Sequence, residues 1–221
     1  MHLKAGTEAL ALDGVQAFIF DLDGTLVESE HVWAKAKAEA AFRHGRPATD
    51  SALAPFVGRS VADFVGEHLG LDADPQRADA IAGIIEQALQ SLEAGLREIP
   101  GAVQLVRAAH AAGFRVAICS SAPMAAIETS IRVLGIAGLV ETAVSAAGMA
   151  KGKPDKQPYV ETLQRLGLKP DQAVAFEDSP SGLRSATGAG IRTIYLGPSE
   201  GPCLAPDVPA ARGSLAQFQI R

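Results

Sequence analysis

The chain has 221 residues, of which 48% are hydrophobic, and a formal net charge of -5 at pH 7. This size and composition predict a globular protein with a sizeable core, formed as one large domain or as a core with a small companion domain. The chain carries net negative charge, no run of Lys or Arg, and no long apolar segment, so we expect neither nucleic acid nor a membrane as a partner.

The N-terminal stretch lacks the continuous apolar segment of a signal peptide, so we expect a cytoplasmic protein. Its expected oligomeric state is a monomer or a small homo-oligomer. Cys119 and Cys203 show neither a CxxC motif nor the spacing of a metal site. Both are therefore predicted to be free thiols, and Cys119 lies in an apolar run where a small buried side chain would fit.

The first predicted strand is an apolar run at residues 15–20, which ends in two carboxylates, a glycine and a threonine. Ser29 is then expected to cap a helix from about residue 30 to residue 44. Apolar residues at helical spacing continue to about residue 96, and no strand pattern interrupts them. We therefore predict a block of helices directly after the first strand.

Strand and helix patterns alternate after Pro100, and Gly/Pro signals separate them. This alternation predicts an α/β fold, with a doubly wound, Rossmann-like parallel sheet covered by helices on both faces. The expected core is residues 1–30 and 98–221, with an inserted all-α domain at residues 31–97. The tail after Leu196 is expected to be loop with one short helix near Leu215. Further strands are predicted at residues 114–119, 139–144, 173–176 and 191–196.

Polar side chains follow several of the predicted strands. Because parallel strands end at the same edge of a sheet, we expect these side chains to converge in one crevice. Asp21 and Asp23 also lie on the same side of an extended segment, where their charges repel unless a cation, a shared proton or separate tasks relieve the conflict. The converging residues are Asp21, Asp23, Ser120, Ser121, Lys151, Lys153, Glu177 and Asp178.

Clustered carboxylates with neighbouring hydroxyls favour Mg²⁺, which is bound by carboxylates, water and substrate phosphate. The five histidines show no zinc-binding spacing, so a zinc site is not expected. Ser120 lies between a strand and a helix start, where its hydroxyl and nearby N–H groups can bind a phosphate. Lys153 can neutralise the same anion. The pattern indicates a small phosphorylated metabolite as the ligand.

Four segments resemble the motifs of the haloacid dehalogenase superfamily, in the branch whose members carry a helical cap after the first motif and include β-phosphoglucomutase-like enzymes. The resemblance covers nearly the whole chain, from about Phe18 onward. It implies an α/β core, a cap at residues 31–97 and phosphoryl transfer. The matching segments are Asp21-Leu22-Asp23-Gly24-Thr25, Ser120, Lys153-Pro154, and Glu177-Asp178-Ser179-Pro180-Ser181-Gly182.

The resemblance also implies a role for each matching residue. Asp21 is implied as the nucleophile that forms an aspartyl-phosphate, and Asp23 as the acid that protonates the leaving group and later deprotonates water. Mg²⁺ is implied to bind an Asp21 oxygen, the backbone carbonyl of Asp23, Asp178 and, directly or through water, Glu177. Phosphate oxygens are implied to contact Ser120, Ser121 and Lys153.

Departures from the family pattern bear on the reaction. Mutases of this branch have a histidine where this chain has Trp33 and a phosphate-gripping arginine where it has Val61, which favours a phosphatase. His31 and Arg59 are expected to contact substrate from the cap. Lys151 is a rival of Lys153 for the phosphate contact, because the third motif departs from the usual pattern.

The predicted function is Mg²⁺-dependent hydrolysis of a small phosphomonoester, such as a sugar phosphate. A β-phosphoglucomutase-type sugar phosphomutase and a catalytically silent Mg²⁺- and phosphate-binding module are the alternatives. Asp23 argues against dehalogenation, which has no leaving oxygen to protonate. Phosphonate hydrolysis would need a cap lysine, but Lys35 and Lys37 are expected on a solvated helix face.

Overall fold

The computed structural model describes residues 1–5, 8–72, 75–197 and 215–221. These residues form eight β-strands and eight α-helices. The strands are β1 (His2–Ala5), β2 (Glu8–Ala11), β3 (Ala17–Phe20), β4 (Arg115–Ser120), β5 (Thr142–Ser145), β6 (Ala173–Glu177), β7 (Arg192–Tyr195) and β8 (Phe218–Ile220). The helices are α1 (Glu30–Arg43), α2 (Asp50–Leu53), α3 (Val61–Glu67), α4 (Gln76–Gly95), α5 (Ala102–Ala111), α6 (Met124–Val133), α7 (Gln157–Leu166) and α8 (Pro180–Gly188).

The central sheet contains five parallel strands in the order β5-β4-β3-β6-β7. Every residue of β3 and β6 is buried, as expected where helices cover both faces of a sheet. Residues of α5 and α6 pack against one face, and residues of α7 and α8 pack against the other. The predicted doubly wound, Rossmann-like α/β fold is therefore confirmed.

Strand β3 lies at the centre of the sheet. Its last residue, Phe20, pairs in parallel register with Ile118 of β4 and with Phe176 of β6. The chain that follows Phe20 therefore emerges between the carboxyl ends of two neighbouring strands. Open α/β sheets bind their ligands at this edge.

Phenylalanine rings fill the core beneath that edge. The ring of Phe20 stacks on that of Phe176 with centroids 4.7 Å apart, and Phe18 stacks on Phe114 at 4.8 Å. Burial of each such side chain contributes roughly 1.5–3 kcal/mol. This packing holds β3 and β6 rigidly beneath the residues that follow them.

Helices α1 to α4 lie between β3 and α5 in the chain. The segments that enter and leave this helical block lie side by side: the N–H of Glu28 donates to the carbonyl of Arg97 at 2.8 Å, and that of Ile99 donates to Leu26 at 2.9 Å. The block has its own buried residues, including Phe64 of α3. It therefore joins the sheet through one pair of adjacent connections.

The two ends of the described chain form a second sheet that the sequence analysis missed. Strand β1 pairs antiparallel with both β2 and β8, and Leu3 lies opposite Ile220. The prediction of loop after Leu196 was therefore wrong at β8, although a short 3-10 helix does occur at Leu215–Gln217. These strands have only three or four residues, and β8 pairs with the opposite end of the chain, so local sequence carries little signal for them. Residues 198–214 lie outside the described chain.

Cys119 is buried in β4 and unpaired, which confirms the predicted free thiol. Burial raises the pKa of its thiol to about 12. Cys203 lies outside the described residues. Within the described ranges, none of the helices combines the length and apolar character needed to cross a membrane.

Candidate active site

Three neighbouring strands deliver polar side chains to one edge of the sheet. Strand β4 ends at Ser120 and β6 ends at Glu177, while Asp21 directly follows β3 between them. The N–H of Asp21 donates to the carbonyl of Phe176 at 3.0 Å, which extends the pairing of β3 with β6 by one residue. The sheet therefore fixes the backbone of Asp21 before its side chain makes any contact.

Lys153 is the cation at the centre of this group. Its Nζ donates to Oδ1 of Asp21 at 2.6 Å, to Oε1 of Glu177 at 2.6 Å and to the carbonyl of Cys119 at 2.8 Å. Burial alone lowers the pKa of this ammonium, but the charges of Asp21 and Glu177 outweigh burial and hold the pKa above its ordinary value. Lys153 therefore stays positively charged beside Asp21.

Two carboxylate oxygens at the site have no hydrogen-bond partner in the described structure. Oε1 of Glu177 accepts hydrogen bonds from Lys153 and from the hydroxyl of Tyr159, the latter at 2.6 Å, but Oε2 accepts none. Oδ1 of Asp178 is likewise buried without a partner. Such oxygens are costly to bury, and a bound cation would satisfy both.

The carboxylates of Asp21, Glu177 and Asp178 fit a Mg²⁺ ion. Each offers one oxygen, and these oxygens lie within 4.8 Å of one another. Burial raises the pKa of Asp21 well above its ordinary value, opposed by Lys153 and reinforced by Glu177. Burial and the charge of Glu177 also raise the pKa of Asp178 to about 8. A hard cation with oxygen ligands would favour the ionised forms of both groups.

Gly24 makes room for the carboxylate of Asp178. Its φ of 84° is a left-handed conformation that other residues rarely adopt. A Cβ built on Gly24 would lie 2.0 Å from Oδ2 of Asp178, closer than any real contact. The glycine of the first motif is therefore required both by the turn and by the neighbouring carboxylate.

The carboxylate of Asp23 is not part of this group of oxygens and has its own set of donors. Its Oδ1 accepts hydrogen bonds from the hydroxyl of Ser29 and from Nε1 of Trp33, the latter at 2.8 Å. Its Oδ2 lies 3.3 Å from the hydroxyl oxygen of Ser120. Asp21 and Asp23 are thus held by different groups, as two carboxylates with separate tasks must be.

The predicted side-chain cap at Ser29 was wrong. Ser29 does precede α1, but its side chain makes no capping hydrogen bond and instead donates to Asp23. The carboxylate is the stronger acceptor and lies within reach, so it competes successfully for the hydroxyl.

The two serines after β4 have different surroundings. Ser120 is fully buried, and its Oγ accepts a hydrogen bond from the N–H of Ala122 at 3.0 Å. Ser121 donates to the carbonyl of Gly58 at 3.0 Å and so connects the core to the turn before α3. Ser120 therefore faces the carboxylates, while Ser121 lies where the helical block meets the core.

The expected solvated position of Lys37 was also wrong, although Lys35 is exposed. Only 6% of Lys37 is exposed, and its Nζ donates to the carbonyl of Phe56 at 3.1 Å. Burial lowers the pKa of Lys37, opposed by the charges of Glu30 and Asp23. Burial and the charge of Asp23 raise the pKa of Glu30, opposed by Lys37. The Ala-Lys-Ala-Lys-Ala pattern hid the position, since alanines on every side leave no visible apolar stripe.

The residues proposed to contact substrate lie nearer the surface. His31 is exposed on the first turn of α1. Arg59 donates to Oε2 of Glu67 at 3.0 Å, and its Nε lies 3.5 Å from Asp63. Lys151, the rival of Lys153, is exposed. Of the two lysines, the structure brings Lys153 to the carboxylates.

Two cavities lie between the helical block and the core. A small one of about 30 Å³ is lined by Asp23, Glu30, Trp33 and Lys37, among others. A cleft of about 850 Å³ includes Arg59 and Lys153 in its lining. The cleft therefore adjoins Lys153, the lysine that contacts Asp21 and Glu177.

Sequence reasoning missed the contacts of Ser29, Trp33 and Lys37 with the site. These residues are four apart, so they share one face of α1. This spacing directly after the first motif was the signal that could have revealed them. The role of Tyr159 gave no such signal, because its partner Glu177 is distant in the chain.

A model of the haloacid dehalogenase-like hydrolase family matches residues 15–190. The match covers most of the chain, including strands β3 to β6 of the central sheet, the helical block and all of the carboxylates described above. The chain belongs to this family and is therefore a hydrolase.

The chain aligns with individual relatives over most of the length of both proteins. The chain is 34% identical to validoxylamine A 7'-phosphate phosphatase of Streptomyces hygroscopicus subsp. limoneus, over 80% of this chain and 84% of that protein. It is 31% identical to hexitol phosphatase A of Escherichia coli, over 93% and 94% of the two chains. Among solved structures, CbbY from Rhodobacter sphaeroides in complex with phosphate superposes with a TM-score of 0.80 at 25% identity, covering 91% of this chain and 95% of that one.

Proposed function

We propose that this protein is a phosphoric monoester hydrolase that uses Mg²⁺ and forms an aspartyl-phosphate on Asp21. The observation that carries the proposal is the separation of two carboxylates. Asp21 lies in a cluster with Lys153, Glu177 and Asp178, whereas Asp23 lies beside it with donors of its own. This separation supports attack by one carboxylate and proton transfer by the other.

The first half of the reaction uses both carboxylates. A carboxylate oxygen of Asp21 attacks phosphorus, and the bond from phosphorus to the ester oxygen breaks. Asp23 donates a proton to the departing oxygen, so that a neutral alcohol leaves. Lys153 orients Asp21 through Oδ1 and contributes positive charge next to the transferred phosphoryl group.

In the second half, Asp23 takes a proton from water as the water oxygen attacks phosphorus. The bond between phosphorus and Asp21 breaks, and inorganic phosphate is released. The hydroxyl of Ser120 and the backbone N–H of Ser121 supply hydrogen bonds to the phosphate. When bound by Asp21, Glu177, Asp178 and the backbone carbonyl of Asp23, Mg²⁺ supplies charge neutralisation for the phosphoryl oxygens.

We also propose that residues 31–97 act as a cap over a core of residues 1–30 and 98–221. The adjacent connections at Glu28 and Arg97 support this division, because a paired entry and exit can serve as a hinge. Contact between Ser121 and Gly58 then belongs to the closed arrangement. His31 and Arg59 remain candidates for substrate contact from the cap.

The proposed substrate is a small phosphorylated sugar or polyol. The two relatives described above are named for a hexitol phosphate and for validoxylamine A 7'-phosphate, which supports a hydroxylated leaving group. A mutase is disfavoured, because Val61 is 94% buried at the position expected to grip a second phosphate and Arg59 is already paired with Glu67.

The test is a panel of phosphorylated metabolites, assayed for release of inorganic phosphate with Mg²⁺ and with a chelator. We expect Mg²⁺-dependent release from sugar or polyol phosphates by the wild type and none by Asp21→Asn. Conversion of a sugar phosphate to its isomer without phosphate release would contradict the proposal and support the mutase.

A further inference from the structure

We infer that Trp33 is a positioning residue for Asp23, whose indole N–H holds one carboxyl oxygen so that the other faces the phosphate ester. The inference rests on the proposed function, because it takes Asp23 as the acid. Nε1 of Trp33 lies 2.8 Å from Oδ1 of Asp23, and only 6% of Trp33 is exposed. A buried indole N–H is a donor only and must find an acceptor, so this contact is directional.

The two oxygens of Asp23 have unequal surroundings. Oδ1 accepts from both Ser29 and Trp33, so its lone pairs are occupied. Oδ2 faces Ser120 at 3.3 Å, on the side of the proposed phosphate site. Oδ2, which accepts only the longer hydrogen bond from Ser120, is therefore the oxygen through which Asp23 transfers a proton. The proton passes from there to the ester oxygen as the bond from phosphorus to that oxygen breaks.

Trp33 also borders the space beside Asp23. It lines the small cavity together with Asp23, Glu30 and Lys37. The same side chain thus borders the space next to the acid and fixes the orientation of that acid. Because Trp33 belongs to α1, the position of the helical block relative to β3 determines how Asp23 is held.

Packing is the competing explanation, since Trp33 also belongs to the main hydrophobic cluster. The two explanations differ in their chemistry. Loss of packing weakens the whole site, whereas loss of the N–H impairs only steps that need the proton of Asp23. Trp33→Phe separates them, because phenylalanine keeps an aromatic ring and removes the donor.

The experiment compares two kinds of ester at saturating Mg²⁺. An alkyl phosphate needs a proton on its leaving oxygen, whereas p-nitrophenyl phosphate releases a stabilised phenolate that does not. We expect Trp33→Phe to lower kcat/KM for the alkyl ester by about ten- to a hundredfold, the usual effect of one hydrogen bond to a charged group. The aryl ester should lose less than about threefold, since its first step bypasses the acid.

Two further variants serve as controls. Ser29→Ala removes the other donor to Oδ1. Its kcat/KM should therefore also fall more for the alkyl ester than for the aryl ester. Phe64→Leu disturbs a fully buried aromatic residue of α3 and should lower activity toward both esters by the same factor. Equal losses on both esters in Trp33→Phe, or no loss on either, would overturn the inference.

Fluorescence tests the contact without turnover. Trp33 is the only tryptophan of the chain, so the protein's tryptophan emission reports on this one side chain. Asp23→Ala should shift that emission, while Asp178→Ala should leave it unchanged. Identical emission in Asp23→Ala and wild type would overturn the inference even if both esters are cleaved. If the emission shifts in Asp23→Ala but the wild type cleaves neither ester, the result would instead contradict the proposed function, and the role assigned to Trp33 with it.

Discussion

The Nζ atom of Lys153 lies 2.6 Å from Oδ1 of Asp21, and 1% and 9% of the two side chains are exposed. The same ammonium contacts Glu177, so one cation serves two carboxylates. Lys153→Met should lower kcat by about a hundred- to a thousandfold, as loss of a charge-stabilising donor does in other active sites. The rate of steady-state phosphate release by the variant and the wild type measures this fall in kcat.

Lys151→Met is the matched control, because Lys151 is exposed and two residues away. Its activity should stay within about twofold of wild type, in keeping with a surface substitution. If Lys151→Met were the more damaging of the two, the assignment of the phosphate-site lysine would have to be reversed.

Mg²⁺ should stabilise the protein more at pH 8 than at pH 5. The pKa of Asp178 is raised to about 8 by burial and by the charge of Glu177. The folded protein therefore binds a proton that the unfolded chain has released, so this group destabilises the metal-free fold progressively as pH rises from about 4 to about 8. Mg²⁺ binds the ionised form and should offset that loss.

Thermal unfolding with Mg²⁺ and with a chelator, at several pH values, measures this effect. In Asp178→Asn, the difference between the two conditions should shrink at pH 8. A rise in Tm on adding Mg²⁺ that is the same at pH 5 and pH 8 would argue against Asp178 as a ligand.

Gly24→Ala should abolish activity, since the added Cβ would lie 2.0 Å from Asp178. Gly14 is a matched control because its φ of 77° is similarly left-handed but its Cβ would meet open space. Gly14→Ala should therefore cost about 1–2 kcal/mol of stability from backbone strain, with kcat unchanged. Similar kcat values for the two variants would show that the contact with Asp178 is unimportant.

Lys37→Met should destabilise the fold by about 1–3 kcal/mol, because it removes one of the two hydrogen bonds to the carbonyl of Phe56 and leaves Glu30 without a nearby cation. Lys35→Met, on the exposed side of α1, should change stability by less than about 0.5 kcal/mol. Urea unfolding gives both values. Adding Glu30→Gln to Lys37→Met should recover part of the loss, and a fully additive double variant would indicate that the two charges do not interact.

The fold could be predicted from sequence where a signal is local. Apolar runs that end in polar groups located β3, β4 and β6, and parallel strand order then placed Asp21, Ser120 and Glu177 at one edge. The pairing of β1 with β8 could not be predicted, because Leu3 and Ile220 lie at opposite ends of the chain. The hairpin of β1 and β2 is local, but its strands have only four residues each.

The candidate site shows the same contrast between local sequence signals and contacts between distant residues. Residue types and motif spacing singled out the carboxylates, but they could not show which donor holds which oxygen. Both Ser29 and Trp33 donate to Oδ1 of Asp23, a sharing of one oxygen that residue types and spacing do not specify. Lys37 was misjudged for a related reason, since its burial comes from the neighbouring turn at Phe56 rather than from α1 itself.

The central claim is that Asp21 carries the phosphoryl group during turnover. Acid quenching of the enzyme during hydrolysis of a phosphomonoester with Mg²⁺, followed by peptide mass spectrometry, tests it directly. The account predicts one added phosphoryl group on the peptide that contains Asp21, absent in Asp21→Asn. A phosphoryl group on another residue, or normal turnover by Asp21→Asn, would contradict the account.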